Sequence, residues 1–160
     1  MAPGIVKAAA EVALPPERAL ALWTDVGRWP SLVEGFARIS EISQDWPEPG
    51  SKVVWESRPG GRGRVTETVL QRDVCRFTTR IYEERLIGTQ TAEVELAEGG
   101  SRVDLRLEYE LQKGGPLRGL TDLIFIRRAL RDALVRSLHR FAVEADEDAG
   151  LRGEPAPPLR

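Results

Sequence analysis

The stretch that decides the fold is residues 102–141, RVDLRLEYELQKGGPLRGLTDLIFIRRALRDALVRSLHRF. Its first part, 102–112, alternates apolar and charged side chains, which predicts a strand with one dry face and one wet face. A Gly-Gly-Pro turn at 114–116 ends the strand, and the leucine spacing after it predicts a long helix over about 117–146. The apolar stripe of that helix must pack on a sheet.

The chain before this stretch alternates in the same way between short turns. Residues 5–14 predict an opening strand, and Pro-Pro-Glu at 15–17 predicts a short helix to residue 24, with a second helical turn near 29–33. Period-two patterns predict five further strands, at 36–43, 51–58, 64–72, 75–83 and 86–97. The sequence therefore predicts an antiparallel meander of about seven strands followed by one long helix.

The length and composition are those of one domain. The chain has 160 residues, 41% of them hydrophobic, which is enough for one core. We expect a single domain over 1–148. We expect a disordered tail over 149–160, because this segment is rich in proline and lacks a periodic apolar set.

Charge and cysteine content exclude several classes of protein. The 23 Lys and Arg nearly cancel the 25 Asp and Glu, so no whole-molecule field attracts nucleic acid or an anionic membrane. The single cysteine, Cys75, cannot form an internal disulfide, and no cysteines and histidines have zinc-site spacing. The longest strongly apolar run, Leu123–Ile126, is far too short for a membrane span. We expect a cytoplasmic monomer or homodimer without metal or cofactor.

Several motifs carry a family resemblance. They are Val12-Ala13-Leu14-Pro15-Pro16-Glu17, Leu22-Trp23-Thr24-Asp25, Arg28-Trp29-Pro30, Gly50 before a Trp55-bearing strand, and the Leu-Arg-rich final helix. In this order they resemble the helix-grip fold of the START-like (SRPBCC) superfamily, which includes pollen-allergen-like and polyketide cyclase/dehydrase-like proteins. The resemblance covers nearly everything up to Ala145. It implies an α+β fold in which a curved antiparallel sheet wraps around the C-terminal helix, with two short helices after the first strand.

The resemblance also implies a function class. It implies that the chain carries or sequesters a hydrophobic or amphipathic small molecule (lipid-like, aromatic or polyketide) in a cavity between sheet and helix. Small inward side chains such as Ala8, Ala10 and Ala92 favour a cavity, although large aromatic side chains could instead fill it. Two alternatives stay open. One is a polyketide cyclase/dehydrase-type enzyme that shapes its substrate and stabilises an enolate, and the other is a ligand-free, co-chaperone-like interaction module with a solid core.

Two arginines of the final helix are its least expected feature. On a helical wheel Arg127 falls at the centre of the apolar stripe and Arg131 about 40° away, so both are predicted to face the cavity. They could form a fork that receives a ligand's carboxylate, enolate or phosphate. Alternatively, an inward sheet carboxylate, with Glu67 best placed, neutralises Arg127 while Arg131 reaches the cavity rim along its alkyl stem.

The other candidates are aromatic or lie in loops. Trp29 could stack on a planar guest or simply pack the short helices onto the sheet, and Tyr109 could donate to a ligand carbonyl or pack in the core. No nucleophile and base form a pair, and the only histidine, His139, falls about 120° from the stripe centre, so no catalytic residue is predicted. The loop at 60–64, GGRGR, lacks the Lys-Ser/Thr of a phosphate-binding loop and is predicted to be a mobile hairpin.

The predicted ligand-binding set combines these side chains with the apolar stripe. Its members are Trp29, Trp55, Tyr109, Leu123, Arg127, Leu130, Arg131 and Leu134.

Overall fold

The computed structural model describes residues 3–112 and 120–153. Within them, seven antiparallel strands form one sheet: β1 (Gly4–Val12), β2 (Phe36–Ile42), β3 (Lys52–Ser57), β4 (Arg64–Arg72), β5 (Arg76–Tyr82), β6 (Leu86–Ala97) and β7 (Gly100–Leu111). The strand order is β1-β7-β6-β5-β4-β3-β2, so a meander runs from β2 to β7 and the first strand pairs with the last. The predicted meander is confirmed.

Helical segments lie between β1 and β2 and after β7. They are α1 (Pro16–Thr24), a 3₁₀ turn (Val26–Arg28), α2 (Trp29–Leu32) and α3 (Leu120–Gly153). The predicted start of α3 near residue 117 lies outside the described residues. The helix runs on past its predicted end at 146, so the first part of the predicted tail is helical, and 154–160 lie outside the described residues.

The core lies between the concave face of the sheet and α3. Alternate residues of β7 are buried, namely Val103, Leu105, Leu107 and Tyr109. From the helix, Leu138 and Phe141 are buried against them, and the Phe141 ring meets the Trp23 indole edge-on, with the ring centroids 5.5 Å apart. Large aromatic side chains thus fill much of the space inside the cup.

The small side chains of β1 have a different effect from the one predicted. Ala8 and Ala10 are partly buried and pack on the core, and α3 packs most extensively against this strand. Small side chains let a helix approach a sheet closely. These alanines therefore close one side of the cup.

Polar contacts anchor the second half of α3. Arg28, in the 3₁₀ turn, makes ion pairs with Glu144 at 2.5 Å and Asp148 at 3.1 Å. Asp146 accepts a hydrogen bond from the backbone N–H of Ala13, with an N to Oδ1 distance of 2.9 Å. The helix is thereby fixed to both the 3₁₀ turn and the end of β1.

The first half of α3 packs less completely. Leu123 and Leu130 are only half-buried, and Ile124 and Phe125 are 61% and 71% exposed. Among the described residues, no helix combines the length and the apolar content that a membrane span requires.

Candidate functional site: a polar-floored cavity between sheet and helix

A cavity of about 40 Å³ remains between the concave face of the sheet and α3. Its walls include the aromatic side chains of Trp23, Trp29 and Trp55, together with Leu134 of the helix. Its polar lining consists of Glu34, Arg62, Glu67, Gln90 and Ser137. This volume has room for a small polar group and not for a lipid chain.

Glu67 forms the floor of the cavity. The alternation of β4 turns it inward between Val65 and Val69, and its side chain is buried. The Trp55 indole N–H donates to Glu67 Oε1 at 3.0 Å, and the Thr79 hydroxyl donates to Oε2 at 3.2 Å. Both carboxyl oxygens therefore have a donor from a neighbouring strand.

The protonation of Glu67 is set mainly by its burial. Loss of hydration raises the pKa of Glu67 above its ordinary value, while the hydrogen bond from Trp55 and the charge of Arg62 act in the opposite direction. Burial therefore favours the neutral, protonated form of the Glu67 carboxyl group.

Arg62 reaches the same cavity from the loop between β3 and β4. Its guanidinium carbon lies 5.5 Å from the centroid of the Trp55 ring, and its Nε donates to Oε2 of the buried Glu83 at 2.7 Å. Gly60 and Gly63 have φ angles of 83° and 75°, which other residues rarely adopt, and they let this short loop fold back over the sheet. The prediction of a mobile hairpin missed this inward arginine.

One donor of this arginine has no partner. Arg62 Nη2 is buried and makes no hydrogen bond to any described residue. On the helix side of the cavity, the Ser137 hydroxyl accepts from the Glu34 backbone N–H at 2.9 Å, and the Glu34 carboxylate lies 3.0 Å from Arg140. The site thus contains two buried polar atoms without a hydrogen-bond partner among the described residues, the donor Arg62 Nη2 and the acceptor Glu34 Oε2, whose charge is compensated by Arg140.

The predicted site residues divide into two groups. Trp29, Trp55 and Leu134 line the cavity. Trp29 also donates from its indole N–H to the Trp23 carbonyl at 2.9 Å, so it packs the short helices as well. Tyr109, Leu123 and Leu130 lie outside the lining. Burial raises the pKa of Tyr109, and the charge of Arg127 opposes the rise.

The prediction that Arg127 and Arg131 face the cavity is wrong. Both residues are exposed, and neither lines the cavity. The wheel assumes that the sheet supports the helix along its whole length, whereas the first half of α3 is covered only partly. Glu67 does turn inward, as the alternative proposed, but the cation that lines the cavity with it is Arg62.

Five polar residues of the site were not identified from the sequence: Glu34, Arg62, Glu83, Gln90 and Ser137. Strand alternation carried a signal for Gln90, because it lies between the inward positions Gly88 and Ala92. Periodicity carries no signal for Arg62, because its direction depends on how one loop folds. Within the described residues, no group of three or more His, Cys, Asp or Glu could hold a metal ion.

Comparisons with known proteins agree with this architecture. A family model described as "Polyketide cyclase / dehydrase and lipid transport" matches residues 4–146. Comparison with curated proteins finds no significant match.

Solved structures share the fold at low sequence identity. The di-domain ARO/CYC StfQ from the steffimycin biosynthetic pathway superposes with a TM-score of 0.77 at 15% identity, over 93% of this chain and 52% of StfQ. The chain thus spans about half the length of StfQ. TTHA0849 from Thermus thermophilus gives 0.73 at 19% identity, over 94% of this chain and 100% of that one. A START superfamily protein from Mycobacterium smegmatis gives 0.69 at 13% identity, over 89% and 97%.

These structural likenesses concern the fold alone, whereas the family model covers most of the sequence. Sheet order, the helix behind the sheet and the short helices after β1 all agree with the helix-grip arrangement. The chain belongs to the polyketide cyclase/dehydrase and lipid transport family and has the START-like helix-grip fold.

Proposed function

We propose that the chain binds a small molecule with an apolar body and a hydrogen-bond-accepting end, and that it carries or sequesters this molecule. The observation that carries the proposal is Arg62 Nη2, a buried donor with no partner among the described residues, in the wall of an otherwise aromatic cavity. An unsatisfied buried donor costs about 1–3 kcal/mol, and more when it is charged. A guest oxygen placed against Nη2 would remove that cost.

The charge balance of the site favours a neutral acceptor. Glu83 already compensates Arg62, and burial biases Glu67 toward its neutral form. A carboxylate or phosphate would bring a further negative charge next to these acids, whereas a carbonyl or hydroxyl oxygen would not. The guest therefore differs from the acidic molecule that Arg127 and Arg131 suggested.

The apolar body of the guest needs more space than the cavity offers. Leu123 and Leu130 on the first half of α3 are half-buried and Tyr109 near the end of β7 is buried, and among the described residues the ion pairs and hydrogen bond that anchor α3 come from its second half. We place the body of the guest against these three side chains, with the first half of α3 moving outward to admit it. Arg127 and Arg131 then lie at the rim.

Paired ligands test the proposal. A long-chain methyl ketone and the alkane of the same length differ only in the acceptor, and their binding can be followed through the fluorescence of Trp29 and Trp55. We expect the ketone to bind about tenfold more tightly, since one hydrogen bond to a charged donor contributes roughly 1.5 kcal/mol. The neutral double variant Arg62→Met/Glu83→Gln should lose this preference. Equal affinities in the wild type would contradict the proposal.

Catalysis is the second candidate function. Arg62 and Glu67 line one cavity, so a guest carbonyl bound to Nη2 would have a carboxyl group nearby that can exchange protons. In a cyclase or dehydrase, the ionised form of Glu67 would accept the α-proton of the guest and become the neutral acid that burial favours, while Arg62 would stabilise the resulting enolate, the role first considered for Arg127 and Arg131. This candidate requires that the bound ketone exchange its α-hydrogens with solvent, which a carrier does not require.

A further inference from the structure

The first half of α3 presents large apolar side chains to solvent beside several arginines. Phe125 is 71% exposed and Ile124 is 61% exposed. Arg127, Arg128 and Arg131 are exposed within the next two turns. We call these five residues the apolar-basic patch.

The charge of this region is the opposite of the charge of the whole chain. Residues 113–131 contain five basic residues and one acid, Asp122, in a chain of net charge -2. None of the ion pairs among the described residues includes an arginine of the patch. By contrast, Arg136 and Arg140 on the following turns both approach Glu34, at 3.6 and 3.0 Å. Asp132, four residues after Arg128 on the same helix, forms no ion pair with it, and the three arginines of the patch outnumber this one acid, so the patch keeps a net positive charge.

We propose that the apolar-basic patch docks the protein onto an anionic lipid surface. Arginines of a surface helix gain about 1 kcal/mol each from an anionic leaflet, and aromatic or aliphatic side chains beside them insert at the boundary of headgroups and acyl chains. Phe125 and Ile124 supply the inserting groups, and the three arginines supply the attraction.

An acidic protein surface would pair with the arginines but would offer no apolar layer to Phe125 and Ile124. A lipid surface satisfies both parts of the patch, because it offers negative headgroups above an apolar layer. The same turns of α3 carry Leu123 and Leu130, which are half-buried. The patch therefore turns the first half of α3 toward the membrane, although docking itself does not require a guest in the cavity.

Co-sedimentation with vesicles tests this proposal. We expect the protein to bind vesicles of phosphatidylcholine containing phosphatidylserine, to bind phosphatidylcholine alone much more weakly, and to dissociate as salt is added. The variant Arg128→Gln/Arg131→Gln should bind about 25-fold more weakly, at about fivefold per charge. Phe125→Ser should weaken binding roughly tenfold through loss of the inserted ring.

Exposed residues of β5, β6 and the turn between them provide a matched control. Leu96 there is 81% exposed, and Arg80 and Arg85 are exposed arginines that make none of the ion pairs described, so Leu96→Ser/Arg80→Gln/Arg85→Gln makes similar changes away from α3 and should leave vesicle binding unchanged. Arg62→Met/Glu83→Gln should also bind vesicles normally, which separates docking from the proposed ligand site. Equal binding to both kinds of vesicle would overturn the proposal. Binding to immobilised polyglutamate without binding to vesicles would also overturn it, and would assign the patch to an acidic protein.

Discussion

Arg62→Met is expected to lower the free energy of unfolding by about 2–4 kcal/mol at neutral pH. Breaking a buried ion pair by removing one partner leaves the other charge uncompensated, at a cost of about 3–5 kcal/mol when both are fully buried. Glu83, whose side chain is 4% exposed, is the partner left without a counter-charge. Because the Arg62 side chain is 25% exposed, we expect a loss somewhat smaller than that of a fully buried pair. Urea unfolding of wild type and variant measures the difference.

The reciprocal variant should behave differently. Glu83→Gln should cost about 1 kcal/mol, because Arg62 sits on a short loop between two glycines and can turn toward water. The double variant Arg62→Met/Glu83→Gln should return to within about 1 kcal/mol of wild type, since neither charge remains. Additive losses in the double variant, or an unchanged Arg62→Met protein, would show that the two residues do not form a coupled buried pair.

Glu67→Gln is expected to stabilise the protein increasingly as the pH rises. Because burial raises the pKa of Glu67, the folded state binds its proton more tightly than the unfolded chain does. The contribution of this group is therefore fully present below its unfolded pKa and is lost as the pH rises through its folded pKa. Glutamine has nearly the same shape as glutamic acid and does not ionise. Its amide can accept a hydrogen bond from the Trp55 indole and donate one to the Thr79 hydroxyl.

Unfolding curves at several pH values measure this effect. Wild type and Glu67→Gln should have equal free energies of unfolding below about pH 4, where the carboxyl group is protonated in both the folded and the unfolded chain, and the variant should be progressively more stable above it. Glu56→Gln is a suitable control, because Glu56 is only partly buried and its pKa is lowered by the hydrogen bond from Arg38, so the variant should lose stability toward neutral pH instead. A Glu67→Gln protein that is less stable at high pH than at low pH, relative to wild type, would refute the assignment of a raised pKa.

The periodic parts of the sequence predicted the fold well. The alternation at 102–112 and the turn signals between strands depend on which side chains face water, and this preference is local. The same rule placed Glu67 on the inner face of β4 and would have placed Gln90 on that of β6. The family motifs added the order of elements and the wrapping of the sheet around the helix.

The parts of the site that were predicted wrongly depend on non-local geometry. A helical wheel gives the direction in which Arg127 points from the helix axis. It does not show whether other side chains cover that turn of the helix, and Arg127 is in fact exposed. Arg62 lies in a loop, so its direction is set by two glycine conformations and by the distant Glu83. The balanced net charge of the chain likewise hid the basic cluster at the start of α3, because it averages over all residues.

Native mass spectrometry of the protein as purified shows whether a guest is bound to Arg62. We expect wild type to carry an additional mass that denaturation releases. The released molecule should be neutral, with a carbonyl or hydroxyl oxygen on an apolar body, and Arg62→Met/Glu83→Gln, though folded, should carry much less of it. If wild type is empty and stays empty after incubation with the methyl ketone, the chain does not bind such a molecule.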